Sequence, residues 1–143
     1  MILPDVNVLV LAHRKDQDGH AAMRAWLVDE VNSDQPFALA DLAVAGFLRV
    51  VTNPRVFADP TPLGEALRFL DGLFEQPTCV PVAAGERHWE IVRQVIADAD
   101  ARGNLVPDAH LAAVAIEHGA TVATRDRGFA RFARVRWLDP LAA

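Results

Sequence analysis

One cysteine and one lysine stand in 143 residues, and no apolar stretch approaches the ~20 residues of a membrane-spanning helix. The lone Cys79 excludes an intramolecular disulfide and a thiolate zinc cluster within one chain. It also makes a reducing cytoplasm the natural setting. The N-terminus lacks the basic head and small-residue cleavage site of a signal peptide, so the sequence predicts a soluble, cytosolic protein with no membrane partner. Aromatic residues make up 7% of the chain, which leaves the core to aliphatic side chains. Basic charge is scarce overall: the net charge of −5 argues against a protein that coats nucleic acid by bulk attraction. No internal repeat, low-complexity tract or linker divides the chain.

What is present fits one domain over residues 1–143, a length at which about 68–70% of the unfolded surface is buried without staples. Short apolar runs alternate with helical patterns. Met1–Leu3, Pro36–Ala40, Cys79–Val82, Ala120–Ala123 and Val135–Leu138 read as strands, and Pro81 marks the third as an edge or strand end. Helices are predicted from about Val6 to Arg14, from Gly19 to Val31 with Ala22, Met23, Trp26, Leu27 and Val31 inward, and from Leu42 to Val51. Thr61-Pro62-x-x-Glu65 has the form of a capping box. It would open a helix striped by Leu63, Ala66, Leu67, Leu70, Leu73 and Phe74. Glu86–Ala101 follows, with Trp89, Val92, Val95 and Ile96 inward, then a helix opened by Pro107-Asp108 and stopped at Gly119, and a helical turn at Phe129–Phe132. Strands alternating with helices imply a three-layer α/β/α sandwich around a central, mostly parallel sheet.

In such a fold the carboxyl ends of strands and the amino ends of helices meet in one crevice. Asp5 follows the first strand, Asp108 opens a late helix and Asp126 follows the fourth strand. Hard divalent cations take oxygen ligands and are typically held by one or two carboxylates, waters and substrate phosphates. Without a cation, clustered carboxylates repel and at least one pKa rises. Asp5 also suits a plain helix N-cap. Arg125, Arg127, Arg131, Arg134 and Arg136 make a local basic stretch beside Asp126, fit either to track a phosphate backbone or to form a solvated face.

The wording around these acids is sharper than their spacing. Asp5-Val-Asn7, Pro107-Asp108-Ala-His-Leu-Ala-Ala with Glu117-His-Gly119-Ala, and Thr124-Arg-Asp126-Arg-Gly-Phe129 resemble the motifs of PIN-domain ribonucleases. More narrowly the chain resembles VapC-type toxins of bacterial toxin–antitoxin pairs, a subgroup of which shares the Phe47-Leu-Arg49-Val-Val-Thr-Asn-Pro54-Arg-Val-Phe57 run. The resemblance implies a PIN-like fold and a Mg²⁺-dependent endoribonuclease acting on structured RNA, with Mn²⁺ as the alternative ion. It also implies a cognate antitoxin that occupies the groove and a homodimer. Asp5, Asp108 and Asp126 match the family's metal-binding, catalytic aspartates, and Asn7 and Thr124 match supporting polar positions. Arg49, Arg125 and Arg127 are candidate contacts to RNA or antitoxin. The family's second acidic position, usually a glutamate before the Phe-Leu-Arg run, is Gly46 here. Asp41, five residues upstream, reads better as a helix N-cap than as its substitute.

That loss opens a second class of function, a PIN-like domain that binds RNA or a partner without cutting. A third class, an aspartyl-nucleophile phosphatase or receiver, is disfavoured. Asp5-Val6-Asn7 lacks the second acid two residues on, and the single lysine, Lys15, sits too early for a receiver. His110 lies two residues after Asp108 and turns away from its helical face, so it is not assigned as a general base.

Overall fold

In the computed structural model, which describes residues 1–142, each of the five predicted strands forms within one residue of its expected place. Ala143, the last residue of the expected domain, lies outside the described residues. Among them the elements run β1 (Ile2–Pro4), α1 (Val6–His13), α2 (His20–Asn32), β2 (Phe37–Ala40), α3 (Asp41–Val51), α4 (Leu63–Phe74), β3 (Cys79–Val82), α5 (His88–Ala99), α6 (Leu105–His118), β4 (Thr121–Ala123), a 3-10 turn (Arg127–Arg131) and β5 (Arg136–Leu138).

All pairings are parallel and the order is β3-β2-β1-β4-β5. Cys79–Val82 is therefore an edge strand, where Pro81 costs least. The connections to β2 and β3 run outward from β1, whereas the connection through α5 and α6 returns across the sheet to β4. Helices α1 to α4 pack with one another and α5 packs on α6, as expected when a parallel sheet is covered on both faces. All four residues of β2 are buried, and Leu3, Val8, Leu9, Val92, Val114 and Val122 are wholly removed from solvent. Each large aliphatic among these contributes about 1.5–3 kcal/mol by its burial.

The order reverses between β1 and β4, which makes their carboxyl ends the switch point where an α/β sheet opens a crevice. Register sets the rest. Leu3 lies opposite Val122 and Pro4 opposite Ala123, so Asp5 and Thr124 leave the sheet side by side. The Asp5 amide donates to the Ala123 carbonyl at 2.8 Å.

Several side chains depart from the periodic pattern, each for a local reason. The capping box at Thr61 does not form. Thr61 Oγ1 is instead held by buried Arg14 at 3.2 Å and by His13 Nε2 at 3.2 Å, and α4 has no side-chain cap. Arg14 also donates to the Asp59 carbonyl at 2.7 Å, pairs with Asp16 and stacks 4.0 Å over Phe57, so it clamps the loop behind α3. On α4 only Ala66, Leu70 and Leu73 are buried, while Leu63, Leu67 and Phe74 spill beside the covered face into solvent. On α5 the inward face is Ile91, Val92 and Val95. His88, one turn before Val92, takes the inward place expected for Trp89, which is 69% exposed. Ala22 on α2 is likewise exposed, with Met23, Leu27 and Val31 forming the buried stripe. Helix α6 starts at Leu105, so Pro107 is its third residue, within the first turn where a missing N–H costs nothing.

Candidate metal centre and nucleic-acid cleft

Asp5 is built into the sheet end before it meets any ligand. It is the N-cap of α1, and its Oδ1 accepts the Val6 amide at 2.7 Å. Its Oδ2 accepts from Thr124 Oγ1 at 2.8 Å and from Asn7 Nδ2 at 3.1 Å. Thr124 Oγ1 in turn accepts from Asn7 Nδ2 at 3.1 Å and from the Asp126 amide at 3.0 Å. Asn7 Oδ1 accepts the Arg125 amide at 3.0 Å. The N-cap of α1 and a wall of the cleft thus coincide in one carboxylate, 6% exposed.

Asp108 stands in the first turn of α6, across a cleft of about 290 Å³ from Asp5. The walls are Val6 from α1, Leu42, Ala43, Ala45, Gly46 and Arg49 from α3, and Pro107 and Leu111 from α6. Burial pushes the Asp108 carboxyl up from 3.8 to about 6, and the negative charges of Asp5 and Asp126 add to the rise. Burial also raises Asp5, opposed by the Thr124 hydrogen bond and then by the Val6 amide, with Asp126 adding a smaller upward push. The three aspartates therefore share one electrostatic neighbourhood.

They are not equivalent. Asp126 is exposed and caps the 3-10 turn, with its Oδ1 on the Gly128 amide at 2.8 Å. Asp5 and Asp108 line the cleft itself. Among the described residues no three Asp, Glu, His or Cys side chains close on one point as a ready-made metal cage. The donor set still fits a hard divalent cation, because such an ion needs one or two carboxylates and keeps waters elsewhere. Asp108, which lines the cleft, makes no side-chain hydrogen bond among the described residues. Two like charges next to an open carboxylate are the electrostatic counterpart of a cation place.

The remaining candidates separate clearly. Arg49 lines the cleft. Arg125 is engaged by Asp139 at 2.8 Å, whereas Arg127 is exposed at the start of the 3-10 turn. Asp41 is exposed as the first residue of α3, with its Oδ1 on the Leu42 amide at 2.8 Å, and it does not line the cleft. His110 faces α5 and meets His88 at 3.1 Å. Leu42 and Asp139 contribute a wall and an ion pair that no motif signals. Val6 is the more instructive omission. A Cβ on buried Gly46 would lie 2.5 Å from Val6 Cγ2, so α1 and α3 approach so closely that a side chain at 46 has no room. Gly46 thus makes room for a neighbouring helix, and a β-branched valine in a helix has few rotamers with which to yield.

Two outcomes follow from this geometry. Folded Asp108 holds its proton more tightly than the unfolded chain does. Its contribution to stability is therefore fully present below about pH 4 and lost as pH rises through about 6. Thermal unfolding of the metal-free protein in EDTA should show that fall, and Asp108→Asn should remove it and raise the midpoint at neutral pH. An identical pH profile for the variant would contradict the assignment. Separately, Gly46→Glu should cost about 1–3 kcal/mol by overpacking, and Val6→Ala in the same chain should recover much of it. Strict additivity of the two substitutions in denaturant unfolding would show that they do not share the contact.

The comparisons with known proteins agree with this architecture. The PIN domain family profile matches residues 2–135. The chain is 50% identical over 141 residues to VapC ribonuclease Mb2897 of Mycobacterium bovis, covering 99% of this chain and 96% of that protein. Among solved structures, VapBC-1 from nontypeable Haemophilus influenzae aligns with a TM-score of 0.71 at 16% identity, over 99% of this chain and 100% of that one. Mycobacterium tuberculosis VapC20, a sarcin-ricin loop cleaving toxin, aligns with a TM-score of 0.69 at 13% identity, over 95% and 99%. Those two likenesses speak for the fold. With the profile match across nearly its whole length and half its residues shared with a VapC ribonuclease, the chain belongs to the PIN-domain family, in its VapC branch.

Proposed function

We propose that this protein is a Mg²⁺-dependent endoribonuclease, the cytoplasmic toxin of a toxin–antitoxin pair, which hydrolyses phosphodiester bonds in structured RNA. The observation that carries the reading is the cleft in which tightly held Asp5 faces open Asp108 on a chain half identical to a VapC ribonuclease. PIN-domain ribonucleases as a class depend on a divalent metal. Mg²⁺ is the ion favoured here because the donors are carboxylates with space for waters, and Mn²⁺ is its nearest substitute. No helix among the described residues is long and apolar enough to cross a membrane.

A bound cation, which Asp5 and Asp108 would hold, would supply Lewis acidity and lower the pKa of a water. The chain's own residues do the rest. Asp5 is fixed by Val6, Asn7 and Thr124, so its carboxylate is oriented before substrate arrives. Asp108 presents free oxygens from the opposite wall, and Asp126 adds negative charge at the rim. Leu42, Ala43, Pro107 and Leu111 keep the walls apolar, which strengthens each polar contact inside. The named VapBC and toxin structures with this fold support a cognate antitoxin as partner. Exposed Leu63, Leu67 and Phe74 on α4 offer apolar surface to that partner or to a second copy in a homodimer.

Gly46 favours one competing reading, a domain that binds RNA without cutting, because the carboxylate expected by resemblance is absent and Val6 fills the space. Incubation of purified protein with ribosomal RNA and Mg²⁺ separates the two. Cleavage should occur, should stop in EDTA, and should be lost in Asp5→Asn and Asp108→Asn. Thr124→Val, which removes the hydroxyl that bonds Asp5, Asn7 and the Asp126 amide but no acid, should lower it about ten- to a hundredfold. Retained cleavage in both aspartate variants would overturn the site. RNA binding with no cut product under any divalent ion would establish the binding reading instead.

A further inference from the structure

Arg49 is the one basic residue on the wall of the acidic cleft. It is exposed, and among the described residues it makes neither a hydrogen bond nor an ion pair; the ion pairs present are Arg14–Asp16, Arg102–Asp100 and Arg125–Asp139. A cation beside two carboxylates would ordinarily pair with one. Arg49 pairs with neither Asp5 nor Asp108, and Asp5 is already oriented by Val6, Asn7 and Thr124.

The placement of Arg49 follows from a packing constraint. Gly46 lets α3 lie directly against Val6 of α1, where any Cβ would collide. Three residues on, Arg49 lies on about the same face of α3 and so projects into the same cleft. RNA approaching three aspartates is repelled, on a chain whose net charge is −5. A guanidinium presents a rigid fork of donors that matches two phosphate oxygens at once and stays charged throughout the working pH range.

We propose that Arg49 is a substrate-binding residue whose guanidinium holds a backbone phosphate of RNA on the α3 wall, beside the reacting acids rather than paired with them. This rests on the reading of the cleft as a ribonuclease site and adds to it the group that admits a polyanion there. An acidic segment of an antitoxin is the competing occupant of the same guanidinium, and the test tells the two apart.

Binding of a fluorescein-labelled RNA hairpin is measured by anisotropy in EDTA, where no cutting occurs, over a series of salt concentrations for wild type, Arg49→Ala and Arg49→Lys. Removing one phosphate contact should weaken binding about tenfold at low salt and reduce the slope of log K against log salt by about 0.7. Lysine should restore the slope but only part of the affinity, because it cannot form the fork. Mn²⁺ affinity by calorimetry and the thermal midpoint should stay within about twofold and about 2 °C of wild type, as expected for an exposed side chain outside the cation's carboxylates. Unchanged RNA affinity and slope in Arg49→Ala would overturn the proposal, and an Arg49→Ala chain that binds RNA as wild type does but no longer co-purifies with its co-expressed antitoxin would assign the guanidinium to the antitoxin instead. Loss of Mn²⁺ binding or of the fold together with RNA binding would also overturn it. If RNA binding depends on Arg49 but Mg²⁺ never elicits cleavage, the phosphate contact stands and the ribonuclease reading falls.

Discussion

A single buried hydroxyl, Thr124 Oγ1, ties the active end of the sheet together. It has one hydrogen to give and two lone pairs to fill. The hydrogen goes to Asp5 Oδ2, and the lone pairs take Asn7 Nδ2 and the Asp126 amide. Those partners come from the end of β1, the first turn of α1 and the exit from β4. They meet because β1 and β4 are neighbours with Pro4 opposite Ala123. The Thr124 side chain itself is wholly buried. Asp5 can then be both the cap of α1 and an acid held in one orientation.

The same arrangement works against the stability of the metal-free fold. Asp5 and Asp108 are both raised by burial, and each feels the charge of Asp126. A protein selected for stability alone would not gather three acids around a partly apolar cleft. Here the cost is confined to a sheet end, while Phe37, Leu3, Val8, Leu9 and Val122 keep the core closed beneath it. Electrostatic discomfort without a cation and readiness to hold one have the same origin.

Much of this was legible in the residues. The strands were short apolar runs between helical periods, and Gly119, with φ of 67°, stopped α6 where a left-handed residue was required. Asp5, Asp108 and Asp126 could be placed because each follows a strand or opens a helix, and topology brings such positions together. Side-chain competition was less visible. Thr61 looked like a helix cap, but Arg14 and His13, 47 and 48 positions away, hold its hydroxyl instead. Trp89 lost its inward place to His88 because His110 on α6 gives an imidazole a partner there. Gly46 stood out only as an absent acid. Its contact with Val6 joins two helices 40 residues apart, and no local pattern records such a contact.

The claim on which everything else depends is that the pocket of Asp5 and Asp108, steadied by Thr124, is a place for one hard divalent cation. Crystals grown with Mn²⁺ and measured at the manganese absorption edge address it directly. One anomalous peak is expected, bounded by the Asp5 and Asp108 carboxylates, with waters completing the shell and Asp126 at its rim. A peak held by other residues, or none at this cleft under saturating Mn²⁺, would contradict it.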